Sequence, residues 1–476
     1  MLKIWNTASR KIETVKPIKA KQIGFYACGP TVYQRAHIGN FRSYILEDIL
    51  RRQLEHDGLK VRHVMNITDV GHLVGDTDHG EDKMEKAAAT TSKSAWEIAK
   101  EFTALFKQDM KRLNIKAPQL MPKATDNIKA QINLIKQLER KGFTYQTADG
   151  IYFNTAKFKP YGKFSGQPLA QKQAGARVEV GAKKHATDFA LWKFSYPNGL
   201  SRRDYLSSDA GRRTQDAPMR QMEWKSPWGV GFPGWHIECS AMSRQELGQP
   251  FDLHAGGVDH IAVHHENEIA QSQAAYGKKL ANYWFHVEFL MVEGQKMSKS
   301  LGNIFTLEDF EKRGFDALDF RYFLLSAHYR QKQNFTWEAL ESARNTLGKL
   351  RQTVQAWDKP KGDCADLSAE FFAAMDNDLN TPQALAVLWK LVDSNCPSGA
   401  KAAVILKMDK VLGLDLEKYV AKPAKIPKEI QKLLDQRAQA RQNKDWKKSD
   451  KLRDELSKKG WVVEDTKEGQ KVIAKG

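Results

Sequence analysis

At 476 residues the chain is long enough for about three domains and a sizeable buried core. Its net charge of +18, from 75 Lys+Arg against 57 Asp+Glu, points to a polyanionic partner or to a solvated lysine-rich surface. Four cysteines are too few for a disulfide scaffold, so reduced thiols or a metal site are expected; no apolar run reaches the roughly 20 residues of a membrane span. Met1 to Val15 is mostly polar and lacks the apolar centre of a signal peptide, so a cytoplasmic location is expected.

Leu2 to Val15 reads as a strand-turn-strand start. Ile23 to Ala27 is a short apolar run of the kind buried in a parallel sheet, and Cys28-Gly29-Pro30 ends it with turn formers. A helix follows, with Asn40 as the expected cap and Phe41, Ile45, Ile49 and Leu46, Leu50, Leu54 as its apolar stripe. Gly58 suits its end, and Val61 to Ile67 is the next strand. This is a β-loop-α-β unit whose loop lies at the carboxyl end of the first strand, where open α/β sheets bind ligands. Lys83 to Leu113 is strongly helical, Met121 to Lys141 is a further amphipathic helix closed by Gly142, and Phe143 to Phe164 is strand-like. Pro197 to Gln221 is polar and aperiodic, with Arg202, Arg203, Arg212, Arg213 and Arg220, and reads as a flexible loop before order resumes at Trp224. Gly234 to Phe310 alternates helix and strand patterns, as a second half-sheet would. From Asp316 the chain is almost wholly helical. A Lys/Pro linker, Ala421 to Pro427, leads to a tail ending in strand-like Trp461 to Val463 and Val472 to Ala474. Ala421 to Gly476 holds 16 Lys+Arg against 9 Asp+Glu, a net +7.

Two short motifs carry phosphate chemistry. His37-Ile38-Gly39-Asn40 leads into the first helix, whose free backbone N–H groups suit an anion; Gly39 allows close approach and His37 can add a donor. Taken alone, the tetrapeptide reads equally as an ordinary loop before a helix. Gly294-Gln295-Lys296-Met297-Ser298-Lys299-Ser300-Leu301-Gly302 follows strand-like Phe285 to Val292. Lys296 and Lys299, in a loop flanked by glycines, suit a mobile clamp on a polyphosphate, although a solvated basic turn looks the same. In this order, each after a strand, the two motifs resemble the HIGH and KMSKS signatures of class I aminoacyl-tRNA synthetases. Asn40 stands at the fourth HIGH position, where its amide can still donate.

Cys28 and Cys239 are joined by a third feature, His264-His265-Glu266-Asn267-Glu268, in which His264 and Glu268 share one face of a helix. Two thiolates, an imidazole and a carboxylate have the donor chemistry of a zinc site. Singly, each cysteine reads as a small buried hydrophobe and the HHENE run as a charged helix face. Read together and in order, CGPTVY, NITDV at Asn66 to Val70, GWHIECSAM, GGVDH at Gly256 to His260, HHENEIAQS and KMSKSLGN are similar to the cysteinyl-tRNA synthetase family over nearly the whole chain.

The resemblance implies an α/β fold. A Rossmann-like parallel-sheet catalytic domain is split by an insertion, then followed by an α-helical anticodon-binding region and a small C-terminal module. The implied divisions are 1–120 and 228–312 for the catalytic halves, 121–227 for the insertion, 313–420 for the helical region and 421–476 for the basic tail. It implies one Zn²⁺ per chain on Cys28, Cys239, His264 and Glu268, and Mg²⁺ with ATP. Gly29, Thr68 and Trp235 would bound the amino-acid pocket. His37, Gly39, Asn40, Asp259 and Lys299 would meet ATP, with His37, Asn40, Lys296 and Lys299 as catalytic groups. The implied partners are L-cysteine, ATP and the cysteine tRNA, met by a monomer, with no membrane partner. Two alternatives stay open. A cysteine:sugar-amine ligase of low-molecular-weight thiol biosynthesis shares the catalytic half but needs no basic tail. A non-catalytic nucleic-acid-binding or zinc-structural protein has no need of His37, Lys296 and Lys299.

Overall fold

The computed structural model describes residues 1–71, 83–166, 183–208, 220–298, 301–422, 427–466 and 469–474. The elements run in order: β1 (Lys3–Asn6), β2 (Lys11–Thr14), β3 (Gln22–Ala27), α1 (Ile38–His56), β4 (Lys60–Met65), α2 (Lys83–Thr90) and α3 (Ala95–Arg112). A middle segment contributes α4 (Ile128–Arg140), β5 (Thr144–Thr147), β6 (Gly150–Phe153), β7 (Phe189–Phe194), α5 (Arg202–Ser207), β8 (Trp224–Ser226) and β9 (Gly229–Pro233). Then come α6 (Trp235–Leu247), β10 (Phe251–Gly257), α7 (Asp259–Ala262), α8 (His264–Tyr276), β11 (Ala281–Val287), β12 (Leu290–Val292), β13 (Gln295–Lys296), α9 (Leu307–Lys312), α10 (Ala317–Leu325) and β14 (Gln333–Phe335). The helices α11 (Trp337–Gln355), α12 (Ala365–Asp376), α13 (Thr381–Asp393), α14 (Ser398–Leu412), α15 (Lys428–Gln442) and α16 (Trp446–Lys458) precede the hairpin β15 (Trp461–Thr466) and β16 (Gly469–Ala474).

The chain divides into two compact units, one made of 1–317, 327–336 and 374–381, the other of 318–326, 337–373 and 382–476. In the first, a four-stranded sheet has the order β11-β10-β3-β4, with every pairing parallel. Phe25 lies opposite Leu253, and Ile23 opposite Val61, so strands from before and after the middle segment meet at the β3–β10 seam. Parallel strands covered on both faces read as continuous buried runs, and every residue of β10 is buried. The polar members of that strand survive burial because they are paired: Asp252 accepts from the N–H groups of Ile18 (2.6 Å) and Gly24 (2.7 Å). The stripe of α1 packs inward as its periodicity requires, with Phe41, Ile45, Ile49, Leu50 and Leu54 fully buried. Gly58 takes a φ of +83° just past the helix, the left-handed turn expected of it.

The middle segment forms an antiparallel sheet of order β5-β6-β7-β9-β8. Phe153, Leu191 and Trp192 of this sheet share a core with Leu134, Ile135 and Leu138 of α4. Some sequence expectations need correction. The run Lys83 to Leu113 is two helices, because Ser94 and Glu97 form a capping box that starts α3 afresh. Helix α4 begins at Ile128 rather than at Met121, and the strand character of Phe143 to Phe164 stops at Phe153. Within Pro197 to Gln221, expected as loop, Ser201 caps the short helix α5 by accepting from the Asp204 N–H; residues 209–219 lie outside the described part.

In the second unit, α11 buries Leu340, Ala343, Leu347, Leu350 and Val354 at helical spacing. The Arg321 guanidinium, fully buried, donates to the Leu412 carbonyl at 2.7 Å and so caps the end of α14. Cys364 and Cys396 lie sulfur against sulfur, whereas Cys28 and Cys239 are free thiols. In the tail, Arg437 makes a bidentate pair with Asp465 at 2.9 Å for both contacts, pinning α15 to the hairpin. Among the described residues no helix is long and apolar enough to cross a membrane.

Candidate active site and metal group

The carboxyl ends of β3 and β10 open onto a cavity of about 430 Å³ in the first unit. Its wall includes Cys28, Gly29, His37, Gly39, Asn40, Thr68, Trp235, Cys239, Asp259, His264 and Lys296, so the structure brings nearly all the sequence candidates to one place. Lys299 and Ser300 lie outside the described residues.

The helix cap is His37, not Asn40. Asn40 is the third residue of the helix, and the two side chains form a reciprocal box. The His37 N–H donates to Asn40 Oδ1 at 3.0 Å, and the Asn40 N–H reaches His37 Nδ1 at 3.4 Å. An imidazole that accepts at Nδ1 carries its neutral-form proton on Nε2, the donor an oxyanion needs. With Oδ1 committed to the backbone, Asn40 has its NH₂ group left to donate. A side-chain carbon on Gly39 would fall 2.1 Å from Met297 Cε, so the lysine loop packs directly on the helix start, and a larger residue there would displace the Met297 methyl group. The loop itself is framed by Gly294 at φ +75° and Gly302 at φ +63°, and Asn303 braces it by accepting from the Ser298 N–H at 2.8 Å. The Ile38 N–H donates to the Phe305 carbonyl at 2.9 Å, a further tie between the two motifs.

Sequence reading missed Arg42. Its buried guanidinium donates to the carbonyls of Glu288 (2.8 Å) and Gln331 (2.7 Å) and to Gln333, linking α1 to the strands that flank the lysine loop. Burial pulls its pKa down to about 10, against the opposing charge of Glu288, and it stays charged at neutral pH. Arg42→Ala is expected to lower the unfolding free energy by about 3 kcal/mol, since it strands several buried carbonyls. A urea titration checks this; an unchanged midpoint would show that the fork is dispensable.

The donor atoms of Cys28, Cys239, His264 and Glu268 all lie within 4.8 Å of one another, and all four residues are buried. His264 Nε2 is 3.0 Å from Glu268 Oε1, and His264 Nδ1 faces His236 Nδ1 at 3.0 Å, so His236 fixes which imidazole nitrogen points at the group. Burial alone would raise the Glu268 carboxyl, but the charges of His254 and His264 outweigh it and hold it at about 2. The hydrogen bond from Cys28 brings the Cys239 thiol down to about 7 against its own burial. Two soft sulfurs, one imidazole and one carboxylate within a few ångströms fit zinc. An overlapping group, Cys28, His254, His265 and Glu268, is just as tight. Neither His254 nor His265 was singled out in the sequence; the position of His254 on a buried strand was the available signal, since a buried imidazole needs a partner, and Glu268 Oε2 is 3.1 Å away.

Beside this group the amino-acid candidates are held by backbone and side-chain bonds. The Gly29 N–H donates to Asn66 Oδ1 at 2.8 Å, and a side chain on Gly29 would collide with the Asn66 carbonyl at 1.7 Å. Thr68 donates to Glu238 Oε2 at 2.9 Å and accepts from Asn66 at 3.0 Å. The Trp235 ring lies 4.8 Å from the His264 ring, centroid to centroid. Asp259 opens α7 at the end of β10, its Oδ1 close against Gly257.

Comparison with known proteins agrees with this geometry. Residues 14–345 match the family of tRNA synthetases class I (C) catalytic domains, 370–394 the DALR domain and 424–472 the cysteinyl-tRNA ligase anticodon binding domain. The chain is 49% identical over 473 residues to cysteine–tRNA ligase 1 of Burkholderia lata, covering 99% of this chain and 97% of that one. It is 39% identical over 495 residues to a cysteine–tRNA ligase of Thermus thermophilus, covering 98% of each. Among solved structures, Mycobacterium tuberculosis methionyl-tRNA synthetase bound by methionyl-adenylate is similar in fold, with a TM-score of 0.55 at 16% identity over 84% of this chain and 93% of that chain.

Proposed function

The chain belongs to the cysteine–tRNA ligase family of class I aminoacyl-tRNA synthetases, and from that premise we propose which of its residues carry the reaction. The enzyme activates cysteine with ATP and transfers it to tRNA. In the first step the cysteine carboxylate attacks the α-phosphorus of ATP and pyrophosphate leaves; in the second the terminal adenosine hydroxyl of the cysteine tRNA attacks the adenylate carbonyl and AMP leaves. Both are positioning and charge-stabilisation problems, with no need of a protein nucleophile. His37 Nε2–H and the Asn40 amide donate to the phosphate oxygens, while Lys296 and Lys299 neutralise charge as it builds; Mg²⁺ bound with ATP would supply further positive charge. Asp259 takes the nucleotide side. Gly29, Thr68 and Trp235 bound the amino acid.

Cys28, Cys239, His264 and Glu268 would hold one zinc ion. Bound there, zinc supplies a thiolate-preferring Lewis acid that distinguishes the cysteine sulfur from the hydroxyl of serine. The observation that carries this reading is the opening of a buried two-thiol, imidazole and carboxylate group onto the same cavity as both phosphate motifs. Cysteine-dependent ATP–pyrophosphate exchange, followed by charging of the cysteine tRNA, tests it. Exchange excludes a pure binding module, and charging excludes a sugar-amine ligase. A monomer working in the cytoplasm is part of the same proposal.

The helical region 313–420 and the tail 421–476 are assigned to tRNA. Deleting the residues after Pro427 is expected to spare adenylate formation, weaken charging and flatten the salt dependence of tRNA binding, because fewer phosphates are neutralised. Equal affinity and salt slope in the truncated enzyme would show that the tail does not touch RNA.

A further inference from the structure

Helix α1 carries a buried carboxylate that the mechanism above does not use. Glu47 is 0% exposed, and neither of its side-chain oxygens has a hydrogen-bond partner among the described residues. It nonetheless stands on the wall of the active-site cavity, one turn beyond Ser43 and Tyr44, which line the same wall. Its charge is felt by the Cys28 thiol and the Tyr44 hydroxyl, which places it on the metal side of the cavity. Burial pushes its own pKa up to about 8, as expected of a carboxyl with nothing to pair with.

A buried polar group without a partner costs on the order of 1–3 kcal/mol, and more for a charge, so such groups are rare unless something else satisfies them. The substrates define what that can be. ATP is anionic. Cysteine offers a sulfur, which the metal group is suited to take, and a carboxylate, which must face the α-phosphorus. Its remaining group is the α-ammonium, which needs an acceptor near the metal side. Three neighbouring polar groups are already engaged: Asn66 Oδ1 accepts from Gly29, Thr68 is bonded to Glu238 and Asn66, and Glu288 accepts from the Phe289 N–H at 3.1 Å; Asp259, the other carboxylate on the wall, is given to the nucleotide side.

We propose that the Glu47 carboxylate receives the α-ammonium group of the bound amino acid and makes that amine a requirement for binding. The inference rests on reading this cavity as the cysteine pocket. In a site closed to water, a carboxylate facing an ammonium is worth far more than on the surface, so amine-free thiol acids are rejected even though they keep the sulfur.

The test uses zinc-loaded full-length enzyme in cysteine-dependent ATP–pyrophosphate exchange, with 3-mercaptopropionate, which is cysteine without its amine, as competitive inhibitor. Wild type is expected to bind 3-mercaptopropionate at least about tenfold more weakly than cysteine. Glu47→Gln is expected to raise the KM for cysteine roughly 10- to 100-fold with kcat within a few-fold, leaving the inhibitor constant of 3-mercaptopropionate unchanged. Glu47→Met, which removes the unpartnered carboxyl, is expected to raise the melting temperature while weakening cysteine in the same way. Equal binding of the two compounds by wild type overturns the proposal without any variant. So does a Glu47→Gln enzyme that keeps its KM, or one that loses cysteine and 3-mercaptopropionate in parallel. Wild type inactive with cysteine would instead remove the reading of the pocket and this inference with it.

Discussion

Cys239→Ser is expected to lose zinc and cysteine activation together, with exchange falling at least about a thousandfold, or some 4 kcal/mol of transition-state stabilisation. Cys239 is 2% exposed and its sulfur lies among three other donors, so serine keeps the shape of the site but exchanges a soft ligand for a reluctant one. His264→Ala is expected to behave likewise, because neutral imidazole serves there as a ligand oriented by His236 and not as a base. Elemental analysis should give close to one zinc per wild-type chain and well under that in either variant. A pocket that tells cysteine from serine by shape and packing alone reaches only about 1–3 kcal/mol of discrimination. Metal-free protein that still activates cysteine over serine by many thousandfold would therefore overturn the assignment.

Lys299→Ala is expected to slow adenylate formation by roughly 100-fold or more with much less effect on cysteine binding. The argument is differential. A lysine in a loop between two glycines meets the phosphates most closely when charge has built up, so its removal lowers kcat more than it raises KM. The described parts of the loop are anchored beside the cavity: Lys296 is exposed, Met297 rests on Gly39, and Asn303 ties the loop to itself through Ser298. Single-turnover formation of the adenylate is the measurement, and an unchanged rate would remove Lys299 from the mechanism.

What the sequence made legible were features whose chemistry is local or whose residue types are rare. The stripe of α1, the turn at Gly58 and the succession of strands and helices after Gly234 follow from periodicity and punctuation. The Cys, His and Glu set stood out because few residues can bind zinc, and the structure clusters them. The errors were also physical. Asn40 looked like a cap because asparagine commonly is one, yet His37 does that work and Asn40 closes the box from inside the helix. Lys83 to Leu113 looked continuous because Ser94 is a modest interruption in an otherwise helical pattern. Arg42, Glu47 and His254 were invisible for a different reason. Each is a polar residue whose meaning depends on partners, or on the lack of them, far away in the chain or in the fold, and no local pattern encodes that.

The seam between β3 and β10 has a consequence for how the chain reaches its native state. Phe25 and Leu253 are neighbours in the sheet, so the central pairing closes a loop that contains the whole middle segment. Closing an open coil of that length costs roughly 5 kcal/mol of chain entropy before the first sheet bond forms. A middle segment that has collapsed around Leu134, Leu138, Phe153 and Trp192, a cluster that Ile237 and Ala241 of α6 and Ala270 and Ala274 of α8 then complete, shortens the effective loop, because its ends are held close together. The antiparallel sheet thus acts as a scaffold for assembly: it forms from near neighbours, and the slow parallel zipper of the catalytic sheet closes over it. Until that last step β3 exposes a bare edge, so crowding during refolding should divert chains at the catalytic sheet rather than at the insertion.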